Sequence, residues 1–270
     1  MAAQFTRSYT SDHTVNDDGT VDFACSTKVD DWAWLALPPR HPVVIQAQNF
    51  WTSVGAIMAL GGMEEGQWSA LTWTDWECFE AQTGHATRGT YWRDTSGEQE
   101  RYGIDLFDAS SRHIVRMHGR GVVFRNRNFE EWRKGSKREA ARQSDTPIAF
   151  AARDALGIGP TVHALVGEAV SDGHFPALVS RENGLPPANP MLGGSGDHVN
   201  SVHMIEAARQ ALCLLTDDPA PAITGGEMAL NRYVELGTPF ALRTSGQEGG
   251  EVTFILEQLG RDCAELTLRR

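Results

Sequence analysis

Apolar positions along this chain keep two periods, and the longer one stands out over residues 196–215. At about 100° per residue, Met204, Ala208, Ala211, Leu212 and Leu215 fall on one side of a helix. Val199, Val202, His203, Glu206, Gln210 and Cys213 fall on the other. The segment predicts one helix buried on most of its circumference, with Asp197 as N-cap and a single carboxylate, Glu206, in its middle. A shorter apolar helix is predicted over residues 50–60, ended by Gly61-Gly62. Two-residue alternation predicts strands over residues 20–28, continued by 30–37, and over 68–79, 86–94, 101–107 and 113–125. Residues 1–20 read as an irregular start or an edge strand. After a charged stretch, strands return over 162–168, 174–180, 225–234, 239–244, 251–258 and 263–268. Turn residues such as Gly84, Thr95-Ser-Gly97 and Ser171-Asp-Gly173 stand between them.

The order of elements therefore occurs twice: strand pair, proline loop, apolar helix, antiparallel strands. The proline loops are residues 38–42, around His41, and residues 185–190. The offset of 148 that takes His41 to Asn189 also carries Asn49 to Asp197, Ser53 to Ser201, Val54 to Val202 and Ile57 to Ile205. It sets Met58 against Glu206, so only the second helix is expected to carry an acid. So long a period predicts a duplicated domain, with repeats over 1–128 and 148–270 and a charged linker over 129–147. One helix followed by a meander suggests a sheet wrapped round it, and pairing with a second copy would cover its edges.

Composition narrows the function classes. The 270 residues carry a net charge of −11, which gives nucleic-acid binding no electrostatic support. The basic run from Arg125 to Lys137 is interrupted by Glu130 and Glu131 and reads as a solvated connector. No apolar run approaches the ~20 residues that span a bilayer, and the first residues lack an apolar signal core, so a cytoplasmic protein is expected. Cys25, Cys78, Cys213 and Cys263 stand far apart, which predicts free thiols in a reducing compartment and no zinc site. No metal and no cofactor is expected. His198 and His203 are five apart, wrong for two ligands on one helical face. Gly193-Gly-Ser-Gly196 lacks the Gly-Lys-Ser/Thr ending of a phosphate loop and is expected to free the chain for helix entry. All eight tryptophans fall within residues 32–132, a composition suited to an apolar or aromatic pocket.

The run Asp197-His-Val-Asn-Ser-Val-His-Met-Ile-Glu206-Ala-Ala-Arg-Gln210-Ala closely resembles the helix motif of the A-factor-biosynthesis (AfsA-type) hot-dog family. More loosely, it is similar to hydroxyacyl-thioester dehydratases, in which an acid opens an (E/D)xxxQ on the central helix. The family's Pro-Gly before the helix is Asn200-Ser201 here. The resemblance implies an α+β double hot-dog, two antiparallel sheets each wrapped round a central helix and fused as a pseudo-dimer. It implies an enzyme acting on an acyl thioester of an acyl carrier protein or coenzyme A in specialised-metabolite assembly, with a homodimer as a further option.

Carried over residue by residue, Glu206 becomes the acid and His41, from the other repeat, its partner; His198 is the alternative histidine. A buried Glu is a suitable acid near neutrality, and a base close by would complete the pair. Backbone N–H groups around Val199 to Val202 would hold the thioester oxygen. Asp197, Val199, Val202, His203, Gln210 and Asn49 complete the substrate-binding candidates. Plainer readings stand beside these: Glu206 as an exposed helix residue paired with Arg209 or accepting from Gln210, His41 as a shaper of its turn, His198 as a first-turn residue, and His203 as packing on a wet edge. Cys213 is expected to be inert, with no basic residue near it. Three functions stay open: acyl transfer and condensation of a β-ketoacyl thioester with a small hydroxylated acceptor, dehydration or isomerisation of a β-hydroxyacyl or cyclic substrate, and binding of an acyl or aromatic ligand without turnover.

Overall fold

A computed structural model describes residues 8–63, 68–95, 99–124, 129–142, 147–159, 162–193 and 197–270. The turn at Thr95-Ser-Gly97 and the run Gly193-Gly-Ser-Gly196 lie largely outside the described residues. The chain divides into two compact units, Met1–Arg125 and Asn126–Arg270.

The first unit begins with strands β1 (Thr10–Val15) and β2 (Val21–Cys25). Residues 30–37 do not prolong the strand. They turn through a single 3-10 turn at Ala33–Ala36, because Trp32 and Trp34 fold in against Tyr9, at ring separations of 5.7 and 5.0 Å. Helix α1 (Pro42–Ala59) is two turns longer than predicted. Pro42, read as loop, is its first residue, where a missing N–H costs nothing, and His41 caps it. The helix ends as expected at Gly61, φ +68°, where Gly61 and Gly62 donate back to Met58 and Ile57. Strands β3 (Trp68–Cys78), β4 (Arg88–Asp94), β5 (Arg101–Phe107) and β6 (His113–Phe124) follow. All pairings are antiparallel, in the order β1-β2-β4-β5-β6-β3. Helix α1 packs on β1, β2, β4 and β5. At Gly55 it lies so close to β1 that a Cβ there would stand 2.3 Å from Thr10 Oγ1.

The second unit opens with α2 (Phe129–Ala141), in the stretch read as a linker. It then forms β7 (His174–Ala177), β8 (His198–Val199), α3 (Ser201–Thr216), β9 (Gly225–Leu230), β10 (Val234–Glu235), β11 (Phe240–Glu248), β12 (Glu251–Gln258) and β13 (Arg261–Arg269). The order β9-β13-β12-β11-β7 is antiparallel throughout, and β8 pairs separately with β10. Strand β12 alternates buried and outward residues as its sequence predicts. Every residue of α3 from Val202 to Cys213 is buried.

The two helices start at different registers from those the offset of 148 implied. Their N-caps, His41 and Asn200, are 159 apart, which sets Ala47 rather than Met58 in the place of Glu206. The two offsets differ by 11 residues, close to three turns at ~3.6 per turn, so the helical face is the same. Helix α1 has no acidic residue in any register.

Candidate active site

Glu206, in the middle of α3, is buried and forked by a neighbour one turn on. Arg209 Nε donates to Glu206 Oε2 at 2.9 Å and Arg209 Nη2 donates to Oε1 at 2.7 Å. Gln210 Nε2 also donates to Oε1, at 2.9 Å, while Gln210 Oε1 accepts the N–H of Leu165. Arg209 Nη2 reaches on to the carbonyl of Leu156. The trio therefore ties the irregular stretch before β7 to the helix. Burial pulls the Arg209 pKa down, and the Glu206 charge more than offsets it, leaving the guanidinium above its ordinary value. Arg209 also corrects the reading of Cys213: a basic group does stand 3.4 Å from its sulfur, yet burial still pushes the thiol up.

The start of α3 is built differently from the prediction. Asn200, not Asp197, is the N-cap, and its Oδ1 accepts the N–H groups of Val202 and His203. One of the backbone donors assigned to a thioester oxygen is thereby used by the cap. His203 is fully buried and not on a wet edge. Its Nε2 donates to the carbonyl of Gly184 at 2.8 Å and its Nδ1 closes the capping box with Asn200. Burial lowers its pKa to about 4, so the ring is neutral at pH 7. Val199 and Val202 are buried apolar residues beside it.

Because α3 starts at Ser201, His198 is not a helix residue. It lies on β8, whose pairing with β10 sets His198 opposite Glu235 and Val199 opposite Val234. Asp197 Oδ1 stands 2.5 Å from His198 Nδ1. A carboxylate accepts, so this contact places the proton on Nδ1 and makes Nε2 the basic nitrogen. The His198 ring meets Tyr233 edge-on at 4.9 Å.

Arg133 of α2, 2% exposed, lies across the other side of Asp197. Its Nη1 donates to Asp197 Oδ2 at 2.6 Å, and its Nη2 to the Asp197 carbonyl at 3.2 Å and to Glu235 Oε2 at 2.5 Å. The Tyr233 ring lies under the guanidinium at 4.8 Å. Glu235 is itself fixed by Gln258, which accepts its N–H and donates to its carbonyl. Two carboxylates thus share one guanidinium beside one imidazole. A proton taken up by His198 brings the four groups from a net single negative charge to neutrality.

Sequence reasoning placed Asp197 and His198 in the site but missed Arg133, Tyr233 and Glu235. The available signal was weak: one of two arginines in a helix of charged residues, and Tyr233 and Glu235 on either side of Val234, the first residue of a two-residue strand. His41 is accounted for within the first unit, where its Nδ1 accepts the N–H of Val43 at 3.3 Å. Asn49 is buried there too, donating to Thr74 Oγ1 at 2.9 Å and accepting from the Tyr102 hydroxyl at 3.0 Å.

No protein-family model and no curated protein matches the chain. Solved structures do. An acyl-ACP thioesterase from Bacteroides thetaiotaomicron is 11% identical, with a TM-score of 0.55 over 93% of this chain and 96% of that one. A 12:0-ACP thioesterase from Umbellularia californica is 12% identical, with a TM-score of 0.56 over 93% of this chain and 95% of that one. At such identities the likeness is one of fold, and it agrees with the two helix-and-sheet units described above. The chain has the double hot-dog fold.

Proposed function

We propose that this chain is an acyl-thioester-processing enzyme, that His198 is its base, and that water is the nucleophile it activates. The observation that carries the reading is the 2.5 Å contact of His198 Nδ1 with Asp197. It sets the tautomer in which Nε2 can take a proton from water as the oxygen attacks a thioester carbonyl. Asp197 would stabilise the imidazolium formed, with Glu235 supplying the second negative charge opposite it. Collapse of the tetrahedral intermediate expels a thiolate, to which His198 returns the proton, giving an acid and a thiol. A thiol is a good leaving group, with an ordinary pKa of about 8.5, so this route needs no second acid. The fold shared with two acyl-ACP thioesterases supports the same chemistry with an acyl carrier protein as the carrier, and coenzyme A presents the same thioester.

Acyl transfer is the second reading, favoured by the likeness of residues 197–211 to the A-factor motif. It differs only in the nucleophile, a hydroxylated acceptor replacing water at His198. Dehydration is less well served. Expelling hydroxide calls for an acid, and both oxygens of Glu206 already receive donors from Arg209 and Gln210.

Product analysis separates these. The protein is incubated with acyl-coenzyme A and acyl-carrier-protein thioesters, with and without hydroxylated acceptors, and products are identified by mass spectrometry. Free acid and thiol in equal amounts are expected. An ester of the acceptor would favour transfer, and an enoyl thioester without thiol release would favour elimination. A retained ligand with no product would leave a binding protein.

A further inference from the structure

We propose that Arg133 is the positioning residue of the His198 base: it fixes the Asp197 carboxylate in the plane and distance that orient the imidazole. The inference rests on the function proposed above and extends it to α2, a helix whose composition marks it as a solvated connector. Three donor contacts leave one guanidinium for Asp197 Oδ2, the Asp197 carbonyl and Glu235 Oε2, at 2.6, 3.2 and 2.5 Å. Asp197 is 28% exposed; its Oδ1 faces His198 and its Oδ2 receives Arg133, so the two groups grip the carboxylate from both sides. Arg133 is buried on the face of α2 that packs on β10, and the Thr238 hydroxyl donates to the carbonyl of Ala140 at the other end of the same helix. The helix is thus anchored at both ends of its buried face, and Arg133 is held by Tyr233 beneath it. A lysine in its place would carry the charge but not the fork, since one ammonium does not reproduce a planar pair of donors.

All of the donors named point at Asp197 or Glu235, so Arg133 acts through Asp197 and not on the thioester. That distinction is measurable. Arg133→Met, Arg133→Lys, Asp197→Asn and the Arg133→Met/Asp197→Asn double variant are assayed for thiol release in the full-length protein, with folding checked by circular dichroism. Arg133→Met is expected to lower kcat by about 10–100-fold while KM stays within about twofold, and Arg133→Lys to recover only part of the loss. In the Asp197→Asn background the same Arg133 replacement is expected to cost little more, because the carboxylate it positions for His198 is already gone. Lys134→Ala, which removes an exposed pair with Glu131 on the same helix, serves as the unchanged control. Full kcat in folded Arg133→Met or Arg133→Lys overturns the proposal. So does a loss that is undiminished in the Asp197→Asn background, a loss confined to KM, or failure of both Arg133 variants to fold. His198→Ala keeps the two levels apart. If it is inactive while Arg133→Met is fully active, only the role of Arg133 falls; if His198→Ala is itself fully active, the reading of the site falls.

Discussion

His198 and His203 lie five residues apart, and of the two only His203 is fully buried. His203 is sealed between Asn200 and the Gly184 carbonyl, and burial lowers its pKa to about 4, well below the ordinary ~6.5. The unfolded chain therefore binds a proton at this residue, on lowering the pH from 6.5 to 4, that the folded chain refuses. The contribution is fully present above about pH 6.5 and declines as pH falls toward 4, by on the order of 3 kcal/mol. Urea unfolding of wild type and His203→Gln across that window measures it: the variant is expected to show the shallower slope. Equal slopes would mean that His203 is not the group. Glu206 makes a contrasting prediction. Glu206→Gln leaves Arg209 buried without its carboxylate, and should cost about 3–5 kcal/mol while thiol release per folded molecule stays within a few-fold. Lost turnover with unchanged thermal stability would return Glu206 to the role of acid. The sequence held the identity of Glu206 and of its partners Arg209 and Gln210; what it did not hold was that both partners turn inward to the same carboxylate.

At the scale of elements, legibility followed period. Strands β3 to β6 and β11 to β13 alternate clearly and lie where alternation put them. The helix starts were misread for local reasons with tertiary answers. Pro38, Pro39 and Pro42 suggested a loop, yet Pro42 suits the first turn of α1. Asp197 and Asn200 are both good caps, and the choice between them was made by the pairing of His198–Val199 with β10 and by His203 completing the capping box. Arg133 was hidden because charge density on α2 outweighed its buried positions, Arg133 and Ala140 among the described residues. Gly55 offers a test of how closely α1 lies on β1. Gly→Ala inside a helix ordinarily stabilises by about 1 kcal/mol, but here the added Cβ meets Thr10 Oγ1, and overpacking of this kind costs about 1–3 kcal/mol. Gly55→Ala is expected to lower the urea midpoint; a raised midpoint would contradict the close packing.

Across the whole molecule, the two units repeat a plan and differ in what their helices carry. Of the buried polar residues of α1, Gln48, Asn49 and Thr52 bond to Tyr9, Thr74, Tyr102 and the helix backbone of their own unit. The second unit assembles an imidazole, two carboxylates and a buried guanidinium around one short strand pair, whereas in the first unit His113 and Arg116 meet on Asp105 with the arginine 47% exposed. The proposed site draws on residues of the second unit, and one active site per chain is the expectation that goes with it. The measurement closest to the central claim is the rate of thiol release by His198→Ala against wild type on an acyl thioester that the wild type cleaves. With the fold intact by circular dichroism, the rate is expected to fall by about 10²–10⁴-fold. An unchanged rate would contradict the assignment of His198 as the base.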